Sequence, residues 1–283
     1  QGVLGGLNMP SWQAFVSELV PRDDLLNAIT LNSAQFNAAK ALGPAIAGAL
    51  VSLTGPTLVF AHGFALSGDA WHYQRRHVPD SVAPTLPGHL EGTHCPDVAR
   101  YTEWVRGWLW AQGLNKNLVF VGYTLGASIA LQYALDYPEE VRGLIVMTVA
   151  ARPKVRAPGT YEMRLRAPGD PKVYEEWVAF QRRAMHLVDP ELRERLMARH
   201  LEVGPMSQYH DLMAIDTFDV RDRIATLKPK LLLLRGLKDH GNPPEYEREI
   251  HEAVPGSQYV KLPDAGHFPP MEIPNQVNAL IDE

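Results

Sequence analysis

The sequence predicts an α/β fold: a doubly wound, mostly parallel sheet with a helical lid insertion and a helical segment on its amino-terminal side. Short apolar runs alternate with stretches of helical length after residue 57, which is typical of parallel sheets covered by helices on both faces. The alternation stops between residues 150 and 226 and then resumes. With 283 residues, of which 46% are hydrophobic, the chain can bury a large core.

Each predicted strand is a short apolar run bounded by polar or turn residues. Strands are expected at residues 58–61, 118–121, 144–147, 230–234 and 258–262. Helices are expected at residues 101–112, which are rich in tryptophan, at 127–136 and 244–253, and from residue 273 onward. Together these elements predict a core domain made of residues 57–149 and 227–283.

Residues 150–226 interrupt the alternation with a helical, charged and aromatic stretch. Because this insertion follows a strand, it is expected above the carboxyl ends of the strands, where ligands bind in such sheets. We therefore interpret it as a lid. Its large apolar side chains, such as Trp177 and Phe180, predict an apolar substrate pocket together with Tyr123 of the core.

The most specific motif is Gly122-Tyr123-Thr124-Leu125-Gly126, which joins a predicted strand to a predicted helix. Glycine, any residue, nucleophile, any residue, glycine is the pattern of a nucleophile elbow, a sharp turn that exposes a hydroxyl. Threonine stands where serine is expected. A nucleophile in such a turn has a positive φ, which a β-branched residue resists, and the backbone strain is about 1–3 kcal/mol.

Two further residues complete a candidate catalytic triad. Asp239 lies just beyond the predicted strand at 230–234, and His267 follows the last predicted strand in Asp264-Ala265-Gly266-His267. Acyl transfer needs a nucleophile, an imidazole base and a carboxylate that orients the base. The hydroxyl, the imidazole and the carboxylate are each expected within about 2.6–3.2 Å of the next group.

Backbone amides that stabilise a developing oxyanion are the fourth requirement of this chemistry. The Phe64 amide follows the first strand in Ala61-His62-Gly63-Phe64, and the Leu125 amide follows the elbow nucleophile. These two amides are the candidate oxyanion hole. His62, beside a glycine turn, is expected to brace the loop rather than to act as a base.

Taken together, residues 57–283 resemble the α/β-hydrolase superfamily. Further motifs extend the resemblance: Leu86-Pro87-Gly88-His89, the run from Tyr137 to Leu144, and the run from Phe218 to Arg223. The resemblance implies a fold of the α/β-hydrolase type and hydrolysis without a cofactor. This chain departs from the pattern at Thr124, and at Thr85, where the family usually has aspartate. The two strands that normally precede residue 58 are absent, so the sheet has an exposed edge or is completed in another way.

Residues 1–56 differ in composition and in pattern from the rest of the chain. The stretch 31–54 is rich in small residues, which suits a helix packed among membrane helices. Together with Asn8-Met9-Pro10-Ser11-Trp12 and the run from Glu18 to Leu25, it resembles a loop and one helix of the major facilitator superfamily of transporters. Either the segment is a fragment or fusion, or it is an amphipathic helix lying against the rest. Membrane contact is expected, if at all, only through these residues.

Composition excludes several other functions. A net charge of −5 without a basic block argues against nucleic-acid binding. A single cysteine, Cys95, and the lack of a secretory signal predict a cytoplasmic protein without disulfides. Histidine pairs such as His72 with His77 lack a third carboxylate ligand, and no glycine-rich phosphate loop opens a helix. We expect no metal and no cofactor.

The leading hypothesis is an esterase-like hydrolase that cleaves a small carboxylic ester or related acyl substrate. One alternative is a catalytically inactive protein of the same fold that binds a small ligand under its lid. The other is a fragment of a membrane transporter fused to a hydrolase. The substrate's identity and the oligomeric state stay open.

Overall fold

The computed structural model describes residues 55–283, so the predicted segment at residues 1–56 lies almost wholly outside the described residues. The described part contains a five-stranded sheet. Its strands are β1 (Thr57–Ala61), β2 (Leu118–Tyr123), β3 (Val141–Met147), β4 (Lys230–Gly236) and β5 (Gln258–Leu262). All five predicted strands are confirmed, and the first four are longer than their apolar runs because the flanking residues continue the same ladder.

Helices connect the strands and follow the last of them. They are α1 (His72–His77), α2 (Val98–Ala111), α3 (Leu125–Asp136), α4 (Thr160–Arg166), α5 (Pro171–Ala184), α6 (Pro190–Asp216), α7 (Glu245–Ala253), α8 (Pro269–Glu272) and α9 (Pro274–Asp282). Helix α2 begins earlier than predicted because Asp97 caps it and accepts a hydrogen bond from the Arg100 amide at 2.8 Å. Within residues 55–283, no helix is both long and apolar enough to cross a membrane.

The strands lie in the order β1-β2-β3-β4-β5 and every neighbouring pair is parallel. The outer side of β1 is also paired. Val82 forms an isolated parallel bridge with Val59, and its amide donates to the Leu58 carbonyl at 2.9 Å while its carbonyl accepts from the Phe60 amide at 2.8 Å. Of the two expectations for this edge, the described residues support a sheet completed in another way.

Alternate residues of each strand face two separate apolar layers. On β3, Leu144 and Val146 join one core cluster, whereas Ile145 and Met147 join the other. The first cluster includes residues of α2, α3 and α7, and the second includes Trp71 and residues of α8 and the segment between β3 and β4. Helices therefore cover both faces of a parallel sheet, which confirms the predicted doubly wound α/β class.

The segment between β3 and β4 contains α4, α5 and α6. Helix α6 is interrupted at Gly204, whose φ of 83° is left-handed, and the next residue is proline. The segment packs on loops that follow the carboxyl ends of strands: Asp211 of α6 accepts a hydrogen bond from the Ala65 amide, just after β1, at 3.0 Å. The helices thus reach the edge of the sheet where Thr124 lies.

Candidate active site

Thr124 occupies the turn between β2 and α3, with φ 52° and ψ −117°. Its amide donates to the Met147 carbonyl at 3.1 Å, and its carbonyl accepts from the Ser128 amide at 3.1 Å, so the turn is fixed on both sides. The close packing of this turn also explains Gly126. A Cβ atom there would lie 2.0 Å from the Ala61 carbonyl oxygen. The strand–turn–helix geometry predicted for the pentapeptide is therefore present.

Asp239 and His267 meet at the same edge of the sheet. Asp239 follows β4, His267 follows β5, and Nδ1 of the ring lies 3.1 Å from Oδ2 of the carboxylate. The Gly241 amide donates to Oδ1 of Asp239 at 2.8 Å. Burial alone would raise the pKa of Asp239, but the His267 ring and the Gly241 amide hold that pKa well below its usual value. The pair is therefore built around an ionised carboxylate.

The Thr124 hydroxyl does not join this pair. Its oxygen is buried and makes no hydrogen bond within residues 55–283. A Cβ atom on Gly63 would lie 2.3 Å from that oxygen, so the hydroxyl points toward the loop after β1. The expected hydrogen bond between Thr124 and His267 is therefore not formed, and the hydroxyl oxygen lies against Gly63 instead.

The loop after β1 carries the predicted oxyanion amide of Phe64. That amide donates to no group in the part of the chain that the structure describes. Leu125 is the first residue of α3, where a helix leaves its amides without intrahelical acceptors. The Leu125 amide follows Thr124 directly, and the Phe64 amide follows Gly63, against which the Thr124 oxygen lies.

His62 supports this loop as expected. Its Nδ1 donates to the Gly63 carbonyl at 2.8 Å and its Nε2 accepts from the Leu86 amide at 2.9 Å. Burial, and the nearby His89, lower the pKa of His62 to about 3, so the ring is neutral at physiological pH. A neutral ring can donate with one nitrogen and accept with the other, which is the role seen here.

A family model described as "Alpha/beta hydrolase family" matches residues 58–280. The chain belongs to the alpha/beta hydrolase family. A second model, described as a transmembrane secretion effector, matches residues 1–84. Its last part overlaps β1, α1 and the Val82 bridge of the hydrolase sheet.

The hydrolase is similar to curated proteins over most of their length. It is 28% identical over 238 residues to a pimeloyl-[acyl-carrier protein] methyl ester esterase of Vibrio campbellii, covering 76% of this chain and 89% of the relative. It is 24% identical over 244 residues to the AB hydrolase superfamily protein YisY of Bacillus subtilis, covering 80% and 90%. Curated relatives of the hydrolase thus include esterases.

Solved structures agree with this assignment. A thermophilic esterase from Thermogutta terrifontis is 28% identical and superposes with a TM-score of 0.68, covering 81% of this chain and 88% of that one. An enol-lactonase from Burkholderia xenovorans is 18% identical with a TM-score of 0.70, covering 81% and 90%. Because the enol-lactonase is only 18% identical, its similarity shows the fold alone.

The three predicted pocket residues lie in different places. Tyr123 is fully buried and its ring packs against Trp71 and Phe268. Trp177 is also fully buried, and its indole donates to Oε1 of Gln208 at 2.8 Å. Phe180 is 43% exposed. These contacts do not bring Trp177 or Phe180 to the Asp239–His267 pair.

Two buried groups near the site have no signal in the sequence. Asn242 approaches the Asp239–His267 pair, and Asp211 of α6 binds His89 and the loop after β1. Asp211 bonds to residues that are distant in the sequence, and Asn242 lies in an irregular loop. Neither residue is therefore part of a periodic sequence pattern that would have predicted its contacts. Among the residues that the structure describes, no group of three or more His, Cys, Asp or Glu side chains could hold a metal ion.

Proposed function

We propose that this hydrolase cleaves a small carboxylic ester or a related acyl substrate. In this proposal Thr124 is the nucleophile, His267 the base and Asp239 the carboxylate that orients the base. The observation that carries the proposal is the 3.1 Å hydrogen bond between buried Asp239 and His267, on loops that follow adjacent strands of the sheet that carries the elbow. The esterase relatives support the same reaction class.

The reaction begins with rotation of the Thr124 side chain, which moves the hydroxyl from Gly63 toward His267. Oγ1 then attacks the acyl carbon while its proton passes to Nε2 of His267. The amides of Phe64 and Leu125 stabilise the oxyanion, and the leaving alkoxide takes the proton from Nε2. Water, deprotonated by His267, attacks the acyl-threonine ester in turn; the bond to Oγ1 breaks, Oγ1 takes the proton back from Nε2, and the acid is released. The Thr124 methyl group and its strained φ slow this sequence relative to serine.

We further propose that residues 150–226 act as a lid over the core of residues 57–149 and 227–283. Tyr123, Trp177 and Phe180 would shape the apolar pocket for a small-molecule substrate, the first two only after the lid opens. The protein is proposed to act in the cytoplasm. Any membrane contact would come through residues 1–56, for which a transporter-like origin by fragment or fusion is proposed.

A second candidate function is supported by one observation. The buried Thr124 hydroxyl has no hydrogen-bond partner within residues 55–283, which is unlike an activated nucleophile. A catalytically inactive hydrolase fold that binds a small ligand under the lid fits that observation.

Turnover of p-nitrophenyl butyrate separates the two functions. Wild-type protein is expected to turn over slowly, and Thr124→Ser to raise kcat by at least about tenfold because the methyl group is removed. His267→Gln and Asp239→Asn, each combined with Thr124→Ser, should abolish the gain. Thr102→Ser is the matched control, since Thr102 is also buried but its hydroxyl donates, among the described residues, to the Val98 carbonyl of its own helix. A Thr124→Ser variant that gains nothing would favour the binding protein.

A further inference from the structure

Lys154 is a buried lysine that the proposed reaction does not use. It lies between β3 and α4 and is 9% exposed. Its ammonium donates to the Thr148 carbonyl at 2.9 Å and to Oδ1 of Asn242 at 2.9 Å. An ammonium is a donor only, so it fixes which way the Asn242 amide points. The carbonyl oxygen faces Lys154 and the NH2 group faces the opposite side.

On that opposite side lie both members of the Asp239–His267 pair. Nδ2 of Asn242 is 3.2 Å from Oδ2 of Asp239 and 3.2 Å from Nδ1 of His267. Oδ2 of the carboxylate thus faces two donors, the ring and the asparagine, while Oδ1 accepts from the Gly241 amide. Oδ2 of Asp239 is the acceptor that keeps the proton on Nδ1 of the ring, and the NH2 group of Asn242, itself a donor, contributes by holding that oxygen in place.

Thr148 provides a second path from Lys154 to the histidine. Its φ of 55° is in the left-handed region, which a β-branched residue rarely adopts. Its hydroxyl donates to the His267 backbone carbonyl at 3.3 Å, while its own carbonyl accepts from Lys154. One ammonium therefore holds two residues from separate loops, and each of them touches His267.

The carboxylates around Lys154 explain how a charged lysine can be buried here. Burial, and the nearby Arg156, lower its pKa to about 8, so the ammonium is still charged at neutral pH. The carboxylates that favour its charged form are Glu247, Asp239 and Asp216. Arg235 completes the group, 3.3 Å from Glu247 and 4.0 Å from Asp239. Glu272 is the further carboxylate near His267.

We propose that Lys154 is a positioning residue for the Asp239–His267 pair, acting through the side chain of Asn242 and the carbonyl of Thr148. Its loss releases the Asn242 amide and removes one fixed donor from Asp239. Oδ2 of Asp239 is then less firmly held as the acceptor for Nδ1–H, so fewer rings have Nδ1 protonated and Nε2 available as a base. The kinetic consequence rests on the proposed function, whereas the state of the ring does not.

The test is the tautomer of His267, read from the ring ¹⁵N shifts of full-length protein with labelled histidine above pH 7. His267→Gln identifies the signal. In wild-type protein we expect the Nδ1–H form, and in Lys154→Met a shift of about a quarter or more of the rings to the Nε2–H form. Arg164→Met is the control, because it also removes a buried cation but one whose bond is to the Thr160 carbonyl in α4. It should leave the tautomer unchanged.

Asn242→Ala keeps Lys154 but removes the side chain through which it acts on Asp239. This variant should therefore show the same shift toward the Nε2–H tautomer, and it serves as the test if Lys154→Met fails to fold. Either variant, folded and with the wild-type tautomer, overturns the proposal, and so does a wild-type ring without the Nδ1–H form. Where an ester is turned over, kcat of Lys154→Met should fall by at least about tenfold with KM nearly constant. A protein that hydrolyses no ester would refute the proposed function but leave the tautomer result intact.

Discussion

The buried pair of His89 and Asp211 should contribute much more to stability than an exposed pair of the same kind. Nε2 of His89 lies 2.9 Å from Oδ2 of Asp211, and both side chains are 0% exposed. The same carboxylate oxygen accepts from the Ala65 amide at 3.0 Å. Replacing Asp211 with alanine therefore leaves a buried imidazole and a buried amide without their acceptor.

The magnitude follows from these contacts. An unsatisfied buried amide costs about 1–3 kcal/mol, and removing one partner of a buried ion pair costs about 3–5 kcal/mol in all. Burial alone would lower the pKa of His89, but Asp211 raises it above its usual value, so the carboxylate favours the charged ring and the figure for an ion pair applies. We expect Asp211→Ala to lower the free energy of unfolding by about 3–5 kcal/mol.

Equilibrium unfolding in urea at pH 7 measures this difference, and the chain offers a matched control. Asp282 lies 2.9 Å from His77 in an exposed pair, with side-chain exposures of 58% and 36%. Asp282→Ala should cost less than about 1 kcal/mol. If Asp211→Ala costs no more than Asp282→Ala, the buried carboxylate does not hold α6 to the loop after β1.

Two further predictions concern the elbow and the buried lysine. Gly126→Ala should cost about 3 kcal/mol or more, because its Cβ would lie 2.0 Å from the Ala61 carbonyl oxygen, a backbone atom that cannot move aside. Gly107→Ala, in α2 with no atom within 4 Å of its Cβ, should instead stabilise the protein by about 0.5–1 kcal/mol in the same urea experiment. Lys154 has a pKa of about 8 in the fold against 10.5 ordinarily, so the unfolded chain binds more protons between these values. The free energy of unfolding of wild type relative to Lys154→Met should therefore rise with pH across that window, by at most about 1.4 kcal/mol per pH unit; a flat or falling difference would contradict the lowered pKa.

The strands could be predicted because a strand that is buried on both faces of the sheet needs apolar side chains at successive positions, and this produces a continuous apolar run in the sequence. The run at 144–147, for example, supplies alternate residues to both core clusters. The nucleophile elbow could also be predicted from the sequence. Its second glycine, Gly126, is needed because it approaches the backbone of β1 too closely for any side chain. The Asp239–His267 contact followed from placing both residues after strands of one parallel sheet.

Side-chain orientation, and the long-range polar contacts other than that between Asp239 and His267, could not be predicted. The sequence identifies Thr124 but contains nothing that places its hydroxyl oxygen against Gly63, 61 residues earlier in the chain. Asn242 is 88 residues from Lys154, and Asp211 is 122 residues from His89. A single polar residue in a loop or on a kinked helix leaves no periodic pattern, so only the folded chain brings such partners together.

We propose that His267 activates the hydroxyl of residue 124 on the turn between β2 and α3. The most direct measurement is the intact mass of Thr124→Ser after treatment with a fluorophosphonate, beside that of Thr124→Ser with His267→Gln. We expect one adduct, on residue 124, that forms at least about 100-fold more slowly without the imidazole. If residue 124 carries no adduct, or if the two variants react at equal rates, His267 does not activate the hydroxyl at this position.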